Sequence, residues 1–370
     1  MTVSPLKSVI GVISGTSMDG IDVARIDTDG RDRVIPRGGR MFPYPQALRA
    51  ELQAFLPHAA RAETDPLDDL ETRVTHAFGD AVAAFVQSEG LTSNDIDLIG
   101  LHGQTVYHRP ERRFTRQLGQ GRILAARFGI AVVDQFRLAD VASGGQGAPL
   151  VPLYHAALAH PLPQPLMVLN LGGVGNVTYI DGESVIAFDT GPASALIDDF
   201  VLRRFGIPYD DGGRIAARGR VDQTALAQLM SNPFFAKPAP KSLDRNEFHA
   251  RAAIVGALDD ADAVATLTAF TIQATAAALA HVPRTPVRWL VGGGGRLNAQ
   301  LMAGLNQRLG VPVETVESVG WNGDLLEAEC FGYLAVRSVD GLPLSLPSTT
   351  GVAQPTTGGR FWSAPFGPAS

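Results

Sequence analysis

Cysteine is nearly absent. The chain of 370 residues has one, Cys330, so it can form neither an internal disulfide nor a cysteine-rich metal centre. Lysine is almost as scarce: three residues (Lys7, Lys237 and Lys241) out of 31 Lys and Arg together, with no basic run. With a net charge of −6, that argues against a nucleic-acid binder, because neutralising phosphates needs clustered Lys and Arg. No segment approaches 18 uninterrupted apolar residues, so no membrane span is expected. The short apolar run Val9–Ile13 reads as a first strand, not as a secretory signal. None of the three lysines follows a glycine, which excludes the G-x-x-x-x-G-K-[ST] phosphate loop. G-x-G-x-x-G, G-x-S-x-G and H-E-x-x-H are missing as well.

What is present is a globular composition, 45% hydrophobic and 18% charged, with room for about two domains. An apolar strand, Ser8–Ser14, leads through Gly15-Thr-Ser-Met-Asp-Gly20 into a second strand, Ile21–Asp27. Helical periodicity covers Gln46–Leu56 and Pro66–Ser88. The strand Ile96–Leu101 then runs into His102-Gly-Gln-Thr105. The opening device recurs roughly 155 residues later, as Leu166–Leu171, Gly172-Gly-Val-Gly175 and Asn176–Ile180. That repetition predicts a duplicated α/β protein with lobes 1–140 and 141–340, the last helix packing back on the first lobe. Ligands of such proteins usually sit in an inter-lobe cleft. Residues 341–370 are rich in Pro, Gly, Ser and Thr and read as an extended or partly disordered tail.

Glycine turns let backbone N–H groups approach an anion without a Cβ in the way. Gly15–Gly20 adds the hydroxyls of Thr16 and Ser17, and Asp19 as a partner for a hydrated cation. Gly172–Gly175 with Asn176 offers a second set of donors, and Gly292–Gly295 ahead of a helix a third. Asp189 stands at a predicted strand end before Gly191-Pro192. It suits a general base and a helix N-cap equally well. His102 and His108 read as satisfied loop histidines more readily than as metal ligands. Gln104 and Thr105 suit sugar hydroxyls or an acetamide. Asp324 is the better helix cap, and Glu327 the more buried carboxylate.

The segments Ser14–Asp22, Leu101–Pro110, Val133–Pro152, Asn170–Thr178, Phe188–Pro192, Pro240–Ser242, Gly292–Asn298 and Asp324–Glu329 follow one another in a familiar order. Together the pattern resembles the anhydro-N-acetylmuramic acid kinases, relatives of actin, the heat-shock chaperones and the sugar kinases. It covers about residues 8 to 338. The resemblance implies two ribonuclease H-like lobes and a cytoplasmic enzyme of peptidoglycan recycling. Such an enzyme uses ATP and Mg2+ to convert 1,6-anhydro-N-acetylmuramic acid into N-acetylmuramic acid 6-phosphate. It implies Asp189 as the base that activates water at C1, also touching substrate, and Glu327 as the group orienting that water. The ATP-binding residues it implies are Gly15, Thr16, Ser17, Met18, Asp19, Gly20, Ile21 and Asp22 in one hairpin. Asn170, Gly172, Gly173 and Asn176 form the second phosphate hairpin, and Gly292, Gly293, Gly294 and Asn298 the adenosine motif. Asp19 would reach the metal through water, and Gln104, Thr105 and Asp140 the sugar. A homodimer is compatible with the resemblance. Two departures stand out: Leu243-Asp244 where the family often reads T-G, and Ala193-Ser194 where it often reads G-N or A-N. The rival readings are a conventional amino-sugar kinase, a carbamoyl-transferring or metal-dependent relative using His102 and His108, and a non-catalytic nucleotide or sugar sensor.

Overall fold

The computed structural model describes residues 4–243 and 247–364. Asp244, and the last six residues of the Pro/Gly-rich segment, lie outside the described residues. Along the chain run β1 (Lys7–Ser14), β2 (Ile21–Thr28), β3 (Val34–Phe42), α1 (Gln46–Phe55), α2 (Asp68–Ser88), β4 (Leu98–Arg109), β5 (Phe114–Leu118), α3 (Gly121–Phe128), β6 (Val132–Asp134), α4 (Leu138–Ala142) and α5 (Pro152–Ala159). There follow β7 (Leu166–Leu171), β8 (Val174–Asp181), β9 (Ser184–Pro192), α6 (Ala195–Phe205), α7 (Gln223–Met230), α8 (His249–Ala252), α9 (Asp260–Ala277), β10 (Arg288–Gly292), α10 (Ala299–Leu309) and β11 (Val313–Thr315). The chain closes with α11 (Leu326–Val339), α12 (Pro347–Thr350) and β12 (Arg360–Trp362).

Two compact units result: Met1–His160 with Leu325–Ser370, and Pro161–Asp324. The division falls at His160/Pro161, twenty residues later than the sequence suggested, and the chain re-enters the first unit at Leu325. In the first unit the sheet order is β12-β6-β4-β1-β2-β3, with β5 added to the end of β4. In the second it is β11-β10-β7-β8-β9. Without β5 and β12, both sheets read fifth, fourth, first, second, third strand. The first three strands are antiparallel and the last two run parallel to the first. This is the ribonuclease H-like order, present twice. The central strands β1 and β7 are almost wholly apolar because both of their faces are covered.

Helix α11 determines the geometry of the first unit. A Cβ on Gly11 of β1 would lie 1.8 Å from the carbonyl oxygen of Ala328, and one on Gly100 of β4 would lie 2.1 Å from that of Phe331. Gly332 faces Gly11 from the helix side. The helix backbone therefore rests directly on two neighbouring strands, an approach open only to glycine. On the other face, Ile10, Val12, Val74, Phe78, Val82 and Phe85 form the core beneath α2.

The described part of the Pro/Gly/Ser/Thr-rich segment, to residue 364, is tied to the first sheet. β12 pairs antiparallel with β6. The buried Asp134 carboxylate accepts hydrogen bonds from Arg360 Nε and Trp362 Nε1. These are contacts across more than 220 residues, invisible to local composition. In the second unit, α9 is apolar on nearly every side and long enough to cross a membrane, but it is largely buried in that unit's core. There Phe234, Phe248 and Phe270 pack edge to face and tilted around it.

Gly100→Ala is expected to destabilise the fold by about 1–3 kcal/mol or more, because the intruding methyl meets backbone and not a flexible side chain. Denaturant titration of this variant beside Ala335→Gly, which removes a methyl at the same contact, checks it.

Candidate active-site residues

At the carboxyl end of β7 in the second unit, register brings four positions into one cross-strand row. Gly292 of β10 pairs with Asn170 of β7, Asn170 with Asn176 of β8, and Asn176 with Asp189 of β9. Opposed residues share a face, so the two amides and the carboxylate stand side by side. β9 runs on to Pro192, and α6 begins only at Ala195. Asp189 is therefore no helix cap. Its backbone N–H donates to the Lys241 carbonyl, and its Oδ2 accepts from Leu243 N–H at 2.7 Å. Burial pushes its carboxyl up to about 7 against the pull of that single donor. The Leu243 departure falls on a backbone contact, which any residue can make. The Lys241 ammonium donates to the carbonyls of Phe234 and Phe235 and lies 3.1 Å from His281 Nε2; burial lowers its pKa to about 8.

The glycine turns separate into two kinds. A Cβ at Gly293 or Gly295 would run into the end of β7, and one at Gly20 or Gly175 into Met41 or Thr190. Those glycines are needed by the packing. At Gly15, Gly172, Gly173 and Gly294 a Cβ would meet nothing closer than 3.5 Å, and φ is not positive. The fold does not require glycine there, which fits clearance kept for a ligand. The carbonyls of Gly172 and Gly173 are clasped by the backbone N–H groups of Ala193, Ser194 and Ala195, so the Ala193-Ser194 departure also leaves this clasp intact. Asn298 spends its side-chain oxygen capping α10 through Gln300 N and Leu301 N. Asp324 does not cap α11: it pairs with Arg296, which also holds Glu317 and the Gly293 carbonyl.

In the first unit, Gly15-Thr-Ser-Met18 closes a turn in which Met18 N–H donates to the Gly15 carbonyl. Met18 has φ 56° and buries its side chain in the core together with Ile21, so both anchor the turn from below. Thr16 and Ser17 are exposed above it, and Asp22 is half-buried where β2 begins. The exposed Asp19 carboxylate pairs with Arg49. Gln104 is fully buried and fully used: its amide donates to the carbonyls of Gly15 and Thr105 and accepts from Tyr44. β4 continues through Arg109 against β5, where the sequence suggested a loop, and this draws Gln104 inside. It ties the turn to β4, with both amide protons spent on backbone carbonyls and its oxygen held by Tyr44. Thr105 is half-buried and accepts from Gln117. Asp140 is likewise consumed, by Gly147 N–H and the Thr350 hydroxyl, each at 2.6 Å. His102 and His108 are satisfied by Gly103 O and Arg137, and by Thr115 and Gln146 O respectively. Among the described residues no group of three His, Cys, Asp or Glu side chains could hold a metal.

Glu327, in the first turn of α11, is open to solvent yet closely surrounded by protein. Burial raises its carboxyl, and the neighbouring Arg137 opposes that rise. Two residues on, Glu329 is fully buried; it accepts from Tyr154 OH at 2.8 Å, and its other oxygen has no partner.

The anhydro-N-acetylmuramic acid kinase family model matches residues 7–364. The chain belongs to that family. It is 49% identical to an anhydro-N-acetylmuramic acid kinase of Rhodopseudomonas palustris (strain BisB18), over 96% of this chain and 99% of the relative. It is 51% identical to one of Azorhizobium caulinodans, over 95% and 97%. Among solved structures, component A of (R)-2-hydroxyglutaryl-CoA dehydratase from Acidaminococcus fermentans aligns with a TM-score of 0.49 at 11% identity, over 90% of this chain and 99% of that one. A ROK family glucokinase of Streptomyces griseus in complex with glucose and AMPPNP aligns at 0.38 and 15%, over 89% and 99%. Membership makes the protein an enzyme, a kinase of the cell-wall recycling type. The pairing of Asn170 with Asn176 was within reach of the sequence as one hairpin; the place of Asp189 opposite Asn176 was not, because it depends on a bulge between Gly175 and Asn176.

Glu329 generates a prediction about stability. In the folded chain burial pushes its carboxyl up to about 7, against an ordinary glutamate value near 4.5. The folded state therefore binds more protons than the unfolded one between those values, and stability falls as pH rises through that window. Glu329→Gln removes the titration and keeps an acceptor for Tyr154. Relative to wild type it is expected to gain on the order of 3 kcal/mol between pH 4 and pH 8. Denaturant unfolding at both pH values measures the change.

Proposed function

We propose that this enzyme opens 1,6-anhydro-N-acetylmuramic acid with water and phosphorylates O6 from ATP, giving N-acetylmuramic acid 6-phosphate and ADP. The observation that carries the reading is the row ending in Asp189: a carboxylate whose pKa sits near neutrality, as a general base requires, beside two amides and two glycine turns with open positions at Gly172, Gly173 and Gly294. The anhydro sugar has no hydroxyl at C6, so the base has no sugar proton to take. Asp189 instead accepts a proton from water, and the oxygen of that water forms the new bond to C1. The C1–O6 bond breaks, and O6 takes the γ-phosphoryl group with ADP leaving. Strain in the bridged ring assists the opening, and the phosphoryl group captures the oxyanion as it forms.

The backbone N–H groups of Gly172 and Gly173, with Asn170 and Asn176, would hold phosphate oxygens. Gly294 would lie against the nucleoside. Gly15, Thr16 and Ser17 serve as phosphate donors in the first unit. Asn298 contributes by fixing the helix start behind its glycines, and Gln104 and Asp140 by fixing loops. Thr105 keeps a role towards the sugar, and Glu327 accepts a hydrogen bond from water or a substrate hydroxyl. A magnesium ion fits this donor set as a cation carried by the nucleotide. One exposed carboxylate, Asp19, is available to its water shell once released from Arg49, and among the described residues no cluster of acidic, His or Cys side chains competes for it. When bound, the ion neutralises charge on the β- and γ-phosphates. A cytoplasmic location, where ATP is plentiful, follows from the same reading.

Turnover of the anhydro sugar with Mg-ATP in heavy-oxygen water is expected to put the label at C1 of the product, and Asp189→Asn to lower kcat roughly a hundredfold or more. A free amino sugar phosphorylated without label would instead indicate a conventional kinase, and binding without turnover a sensor. For wild type, kcat/KM is expected to climb through pH 7, as Asp189 loses its proton, to a plateau above about pH 8. A pH–rate profile tests it.

A further inference from the structure

Lys241, in the second unit, is held by its ammonium from every side. Nζ lies 3.2 Å from the Phe234 carbonyl, 3.2 Å from the Phe235 carbonyl and 3.1 Å from His281 Nε2. An ammonium has three protons and nothing to accept with, so the imidazole faces it with its bare nitrogen and all three protons are spent. The rings of Phe234 and Phe188 lie 4.8 Å and 5.8 Å from Nζ, and the His281 ring stands edge-on to that of Phe188. Ring faces attract a cation. Among the described residues no carboxylate pairs with it, while burial and the like charge of Lys237 both work against the charged form. An apolar side chain of the same length would fill this place without that cost. Packing alone therefore does not account for a lysine here.

The same residue meets Asp189 through its backbone. β9 is the last strand of its sheet, and the Asp189 N–H donates to the Lys241 carbonyl at 2.9 Å. Two residues on, Leu243 N–H donates to Asp189 Oδ2 at 2.7 Å. Successive residues of a strand face opposite ways. Phe188, with the ammonium near its ring, and Asp189, with the Leu243 amide on its carboxylate, thus lie on opposite faces of β9. The segment Lys241–Leu243 is anchored by a side chain on one face and delivers a backbone donor on the other. The Phe234 and Phe235 carbonyls lie at the start of the same stretch of chain, so the ammonium also ties that stretch to itself. With Oδ2 held by the amide, the plane of the carboxylate is set and Oδ1 is the oxygen that takes a proton.

Resting on Asp189 as the base of the reaction proposed above, we propose that Lys241 is a positioning residue for that base, its ammonium holding the segment that presents the Leu243 amide to Asp189 Oδ2. A lysine that binds phosphate must keep protons for its ligand, whereas those of Lys241 all go to protein acceptors. The compact ammonium also fits three converging acceptors, which the planar fork of arginine does not.

The test follows the Leu243 amide by NMR in the full chain labelled with 15N-leucine, its signal assigned as the one missing from Leu243→Ile. In wild type that amide is expected to move with pH around a midpoint of about 7, as Asp189 titrates, and to stay still in Asp189→Asn. Lys241→Met keeps the apolar stem and removes the ammonium. It should cut the amide's movement to less than half and lower kcat roughly tenfold or more, with KM for ATP within about twofold. Lys241→Arg should retain part of both. A Leu243 amide that ignores pH in wild type, or titrates in Lys241→Met as it does in wild type, overturns the proposal. So does an unchanged kcat in Lys241→Met. A Lys241→Met chain that fails to fold overturns it too, because the ammonium would then serve the whole unit and not this contact. If wild type turns over no anhydro sugar, the proposed reaction has failed instead, and the amide titration still decides whether Lys241 holds the Asp189 contact.

Discussion

The first unit depends on a contact between backbones. α11 lies against β1 and β4 at a distance that Gly11 and Gly100 permit and that no other residue would, with Gly332 facing them from the helix. A helix carried on side chains sits about 8–10 Å from its neighbour and can shift as those side chains repack. One carried on bare backbone has far less freedom. Glu327 in its first turn and the buried Glu329 one half-turn on are therefore placed by the sheet itself. The same helix supplies Phe331, whose ring backs both His102 and Arg137. A structural necessity and the polar chemistry of this unit thus share fourteen residues.

In the second unit the ordering principle is register. Antiparallel pairing of β7, β8 and β9 fixes which side chains face each other, and a bulge between Gly175 and Asn176 brings Asp189 opposite Asn176. A slip of one residue would turn the carboxylate to the other face of the sheet. The Lys241–Leu243 segment supplies one backbone donor to the Asp189 carboxylate, and among the described residues no cation is paired with it. One donor lowers the pKa less than burial raises it. The result is a carboxyl group pushed up towards neutrality.

Much of this was legible in the residues. The two hairpins repeat visibly, and central strands as apolar as VIGVIS and LMVLNL announce burial on both faces. What escaped was long-range. Gln104 looked like a ligand because a polar residue after a strand usually is exposed; β5 extends the strand and turns it inward. Asp140 looked free because its partners, Gly147 and Thr350, are 7 and 210 residues away. The closing segment read as extended or partly disordered because its Pro, Gly, Ser and Thr carry no periodicity. Its order comes from Asp134, Trp362 and the pairing of β12 with β6.

The glycines show how necessity and function separate. Gly293 and Gly295 sit in the same four-residue run as Gly294, yet a methyl at either would strike β7 while one at Gly294 would strike nothing. A motif read as a unit is thus part scaffold and part opening. The scaffold members set where the strand ends and the helix begins; the open member leaves room at that point. The same division holds between Gly175, crowded by Thr190, and Gly172 and Gly173, which are not crowded. Clearance that the fold does not use, repeated at the ends of two neighbouring strands and beside a near-neutral carboxylate, is what a phosphate-bearing ligand requires of this sheet.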